Sequence, residues 1–242
     1  MTASSLAPEF SLIMERFLSL SEVVAENWEE EKADTSPELL MRAAEQLHDM
    51  MAHLSEDDRT MQEDIDIDQC CDYGLHLFDE QSDLAKHCGL DDVAEQIEDL
   101  CFPFCLWATR HHATISHLQP VVNALARKAN ALRDPGALSS LFTQVNEIMD
   151  GIDEKIRQDI DSNDPMRPWR VLLLNRAIIA TRSFQPVLID TAYLDIVNYL
   201  PHEASVFFEN AMEQMDQVGY PHHIKEIVET WLQRYGSKPT LH

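Results

Sequence analysis

Apolar side chains recur three or four residues apart along nearly the whole chain, and this periodicity constrains the fold more than any other feature. In EFSLIMERFLSLSEVVAENWEEE, Phe10, Ile13, Phe17, Leu20, Val24 and Trp28 fall on one stripe, which an acidic tail follows. A half-buried strand would need period-two alternation of β-branched residues, and no such run occurs. Glycine is scarce, 6 in 242 residues. The expected fold class is therefore all-α, with about ten helices in successive antiparallel hairpins, arranged as an irregular bundle or an α-α superhelix. The expected unit is a single helical domain over 1–242, with possible substructure into an acidic part, 1–105, and a helical-hairpin part, 106–242.

Start and stop signals divide the pattern. Ser36 is a ready N-cap with Pro37 at the first helical position, opening a helix whose stripe runs through Leu40, Ala44, Leu47 and Met51. The polar stretch 55–68 reads as a loop or as exposed first turns of a third helix that runs on to about Cys88. Gly89, Gly219 and Gly236 each follow a helical segment and suit the left-handed residue that closes it, with Leu90 and Tyr220 as the apolar residues expected next. Asp91 opens a fourth helix, in which Pro103 is expected to cause a break or kink. Pro120 suits a further helix start, RDPG and SNDPMRP read as turns, and Pro186, Pro201 and Pro221 punctuate the rest. Near the C-terminus, Ala204, Phe208 and Ala211 resemble the second-helix pattern of tetratricopeptide repeats. The residues before them lack that family's first-helix aromatic and glycine positions, so the resemblance covers one helix.

Charge is distributed very unevenly. The formal net charge is -25, from 43 Asp and Glu against 18 Lys and Arg, and nearly all of it belongs to residues 1–105. Two acid-free islands stand out. One, from Leu106 to Arg133, holds Arg110, His111, His112, His117, Arg127, Lys128 and Arg133; the other, from Pro165 to Ile189, holds Arg167, Arg170, Arg176 and Arg182. One reading is that the islands line a groove for an anionic ligand, with Arg110, His111, His112, Trp169, Arg170, Arg176 and Arg182 as the candidate residues, since guanidinium forks bind carboxylate and phosphate bidentately. The other is internal pairing. At 100° per residue the four arginines of the second island spread over roughly 240° of the helix, with apolar residues between them, which describes a buried helix and not one flat basic face. A buried guanidinium then requires an acid from within the chain, and the acidic N-terminal helices are the expected source.

Other constellations carry less. Glu45 and His48 have the i, i+3 spacing of carboxylate-bridged metal bundles, but no second E-x-x-H follows. Cys101 and Cys105 with His111 and His112 offer zinc-ligand chemistry, although cysteines inside LCFPFCLW suit a core. Asp72, His76 and Glu80 share a helix face as an acid-base pair or a solvated contact. Trp107 and Trp169, each near an island, offer stacking faces or core volume. Neither a P-loop, a nucleophile elbow nor a dinucleotide-binding glycine turn is present. The five cysteines, Cys70, Cys71, Cys88, Cys101 and Cys105, are expected to be reduced.

The resulting expectation is an acidic, soluble, cytoplasmic, non-catalytic module that binds a protein partner. It has no cofactor, no metal, no nucleic acid partner and no membrane span. Two alternatives stand beside it: an enzyme or metal-binding protein with a His/Arg-lined site for a small anionic ligand, and an acidic surface that binds a basic partner or mimics nucleic acid.

Overall fold

The computed structural model describes residues 7–29, 35–53, 66–158 and 164–236. Among them the fold is all-α. Twelve helices follow one another: α1 (Ala7–Glu26), α2 (Pro37–His53), α3 (Ile67–His87), α4 (Asp91–Glu98), α5 (Cys101–Arg110), α6 (Gln119–Ala131), α7 (Pro135–Asp150), α8 (Glu154–Arg157), α9 (Pro168–Arg182), α10 (Pro186–Tyr199), α11 (Ala204–Val218) and α12 (His222–Tyr235). No strand occurs among the described residues; extended pairing is limited there to one parallel bridge, Ile115 to Ile152.

The helix ends follow local chemistry. The Ser36 hydroxyl accepts the Leu39 N–H at 3.3 Å, and Asp66, within the expected polar stretch 55–68, accepts the N–H groups of Asp68 and Gln69 to cap α3. Residues 54–65, most of the expected polar loop, lie outside the described residues. Gly89 (φ 72°) closes α3, with Leu90 N–H reaching the Ala85 carbonyl and Gly89 N–H that of Lys86, the paired bonds of a Schellman motif. Gly219 (φ 79°) closes α11 in the same left-handed conformation. Gly236 does not: its φ of -66° and ψ of 157° are extended, so the chain leaves α12 without a left-handed residue. Pro103 also departs from expectation. The helix breaks earlier, at Asp99–Leu100, and Pro103 sits in the first turn of α5, where its missing N–H costs no intrahelical bond.

The chain forms two compact units. The first comprises Met1–Lys128 and Glu147–Gln158, the second Ala129–Asn146 and Asp159–His242, so α6 and α7 each contribute to both. In the first unit, α1 packs on α2, α3, α4 and α5, while α3 packs on α2, α4 and α5. Its core is aromatic: Phe17 meets Phe78 at 4.9 Å, Phe78 meets Phe104 edge-on at 5.2 Å, and Phe10 meets Trp107 at 4.5 Å. Gly74 of α3 gives Phe104 of α5 its place, because a Cβ there would lie 2.4 Å from the ring's Cζ. In the second unit, α9 packs on α10, α11 on α12, and α10 on α12. Tyr193 is wholly buried there, its hydroxyl 2.8 Å from that of Thr181 and its ring against Phe208 and Trp231.

One core position is in conflict with its surroundings. Gln81 on α3 is fully buried, and among the described residues neither its amide oxygen nor its amide nitrogen has a hydrogen-bond partner. An unsatisfied buried amide costs about 1–3 kcal/mol, and an apolar side chain of similar shape removes that cost. Gln81→Leu is therefore expected to stabilise the protein by about 1 kcal/mol, read as a higher urea midpoint at unchanged slope. A lower midpoint would show that the amide is satisfied in solution.

Candidate functional site

The candidate arginines all have partners within their own unit. In the first unit, Arg110 at the end of α5 forks onto Glu147, Nε to Oε2 at 2.7 Å and Nη2 to Oε1 at 3.3 Å, with Glu9 3.4 Å from Nη1. Hydrogen bonding to Glu147, then its charge and that of Glu9, hold the guanidinium above its ordinary value against some desolvation. His111 stacks on Trp107 at 4.8 Å, and its Nδ1 lies 2.8 Å from the Trp107 carbonyl, to which it donates. His112 adopts a left-handed φ of 66° and stands exposed beside a cleft described below.

The other four candidates belong to the second unit, on α9. Trp169 is buried, edge-on to Tyr199 at 5.6 Å. Arg170 donates from Nε to Glu203 at 2.6 Å and from Nη1 to the Pro165 carbonyl, and Arg167 shares the same carboxylate at 3.2 Å. Arg176 is only 4% exposed; its Nη1 donates to Asp195 at 2.7 Å, its Nε to Asn146 at 2.7 Å, and its guanidinium lies 4.5 Å from the centre of the Phe142 ring. Arg182 takes no carboxylate among the described residues: Nη1 and Nη2 donate to the carbonyls of Ala129 and Leu132, the negative end of α6. The acids that answer α9 thus come from Glu203 and Asp195, not from the N-terminal helices.

Two carboxylates in these networks set an acid limit on stability. Hydrogen bonding from Arg170, with its charge and that of Arg167, holds the Glu203 carboxyl below its ordinary value near 4.5 despite partial burial. At Glu98, burial pushes upward most strongly, but Lys86, Ser82 and Arg127 together outweigh it, so this carboxyl is also lowered. A folded value below the unfolded one gives stability that is present above about pH 4.5 and lost as pH falls through the folded value. Glu203→Gln is expected to be less stable at neutral pH yet to lose less stability on acidification below about pH 4.5, measured by urea titrations across that range. Parallel losses in variant and parent would contradict the assignment.

The remaining sequence candidates have ordinary surroundings. His48 stacks on Phe10 at 5.8 Å and meets the Ser11 hydroxyl, whereas Glu45 is exposed. Cys101 and Cys105 are buried in the core of the first unit, and desolvation pushes both thiols far up, away from the thiolate that metals and electrophiles require. His76 pairs with Glu80 at 2.9 Å, and Asp72 accepts the Ser116 hydroxyl. Among the described residues, no three His, Cys, Asp or Glu side chains gather as a metal would need, and no helix is long and apolar enough to cross a membrane.

Of the sequence candidates, His112 lines a cleft of about 450 Å³ in the first unit, whose other lining residues the sequence does not single out. One wall is the end of α5 and the loop after it, Thr109 and His112–Thr114; the other is Asp150–Glu154, between α7 and α8. The Ile115–Ile152 bridge brings the walls together, with Ile115 N–H on the Gly151 carbonyl at 2.8 Å and Asp153 N–H on the Ile115 carbonyl at 3.0 Å. Gly151 permits the approach, since a Cβ there would lie 2.8 Å from Thr109 Cγ2 and 3.0 Å from the Ala113 oxygen. Arg157 ties the second wall together by donating to the carbonyls of Met149, Asp150 and Ile152. Asp68 accepts the Thr114 N–H at 2.6 Å, and Asp153 caps α8 through Lys155 N–H. Asp150, Asp153 and Glu154 make the lining anionic, opposite in sign to the site expected from the arginine islands. In the second unit, Arg170 and Glu203 border a smaller groove of about 270 Å³ between α9 and α11, lined by Leu174, Val206 and Phe207.

Comparison of the chain with family models, with curated proteins and with solved structures finds no match.

Proposed function

We propose that the protein is a non-catalytic helical binding module whose first unit presents an acidic contact surface to a basic protein partner. The observation that carries this reading is the surplus of exposed carboxylates, since Arg16 on α1 and Arg42 on α2 are exposed too but are outnumbered by the acids on the same helices. Arg110 and Arg127 are held by carboxylates and Arg157 by backbone carbonyls, while Glu15, Glu22 and Glu26 along α1 and Glu38, Glu45 and Asp49 along α2 are exposed. On each helix these acids are spaced i, i+7, i+11, which places them on one side. The described residues of the first unit contain 23 Asp and Glu against 8 Lys and Arg, so its field attracts cations and repels nucleic acid phosphates.

The cleft at Asp150, Asp153 and Glu154 is a concave acidic feature of the same unit, and a lysine or arginine side chain of the partner matches its charge. The test compares two double variants with equal loss of charge, Asp150→Asn with Glu154→Gln at the cleft and Glu22→Gln with Glu26→Gln on α1. Binding of an oligolysine peptide is followed by calorimetry. The cleft variant is expected to weaken binding by about tenfold and the α1 variant by about threefold or less. Equal losses would remove the cleft from the reading, and absence of oligolysine binding at low salt would remove the reading itself.

A further inference from the structure

We draw no further inference here: the strongest candidate, the apolar groove that Leu174 of α9 and Val206 and Phe207 of α11 form beside the Arg170–Glu203 pair, is an unpartnered face, and nothing in the structure shows what covers it.

Discussion

Asp195→Ala is expected to destabilise the second unit by about 3–5 kcal/mol, because it leaves the Arg176 guanidinium buried without its counter-charge. Burial alone pulls that guanidinium below its ordinary value, and Asp195 is what opposes the pull. Asn146 supplies one acceptor and Phe142 a ring face, but neither carries a negative charge. Asp195→Asn keeps an acceptor oxygen and should lose roughly half as much. The double variant Arg176→Met with Asp195→Leu should recover most of the loss, since a well-packed apolar pair escapes the desolvation cost that both ions carry. Urea unfolding followed by tryptophan fluorescence reads all three, with Trp169 and Trp231 as reporters in this unit. A cost below about 1 kcal/mol for Asp195→Ala would mean that water reaches Arg176 and the pair behaves as a surface contact.

Gly74→Val should cost the first unit about 3 kcal/mol, and magnitudes decide the sign. Replacing a helical glycine by a residue with a side chain ordinarily gains up to about 1 kcal/mol of helix propensity. Here the new Cβ would lie 2.4 Å from Phe104 Cζ and 2.9 Å from Cε1. A ring with room would turn aside. Phe104 is hemmed in by Phe10 at 6.1 Å, Phe78 at 5.2 Å and Trp107 at 6.0 Å, so the overlap is relieved only by moving α3 against α5. The second-site change Phe104→Leu should restore part of the loss, which separates the steric cause from a conformational one. A neutral Gly74→Val would show that the two helices are not held at this distance.

Particular residues show which parts of the molecule were readable from the sequence. The 3.6-residue stripes, Ser36 with Pro37, and Gly89 with Leu90 are local signals, and the helices they predict are present with those caps. The spread of arginines around α9 correctly indicates a helix buried on most sides, with Trp169, Leu172, Leu173, Arg176, Ala177 and Ile179 inside. Identifying the partners is another matter. Glu203 and Asp195 lie 33 and 19 residues from the arginines they answer, and Arg182 is satisfied by carbonyls that every helix end offers, so composition cannot single them out. The position of Pro103 is not legible because a proline's effect depends on whether it falls in a helix's first turn or its interior, and the break at Asp99–Leu100 has no glycine or proline to mark it.

The cleft was illegible for a similar reason. Its walls are about 40 residues apart in sequence and are joined by a bridge of two hydrogen bonds and the absence of a side chain at Gly151. The pair Gly151–Ile152 followed by Asp153 and Glu154 has the form of a capped turn, which hints at α8 but carries no sign of what faces it.

The central claim is that Arg110, Arg127, Arg170, Arg176 and Arg182 are answered from within the chain, while the described surface of the first unit carries a surplus of exposed carboxylates over exposed cations. It is tested most directly by titrating the intact protein with oligolysine and, separately, with oligoglutamate, each at about 50 mM and about 200 mM salt. The expected result is association with oligolysine that weakens by about tenfold or more at the higher salt, and no association with oligoglutamate at either. Binding of oligoglutamate, or oligolysine binding indifferent to salt, would contradict it, because the first requires a basic patch strong enough to outweigh the net negative field and the second requires a surface that is not electrostatic.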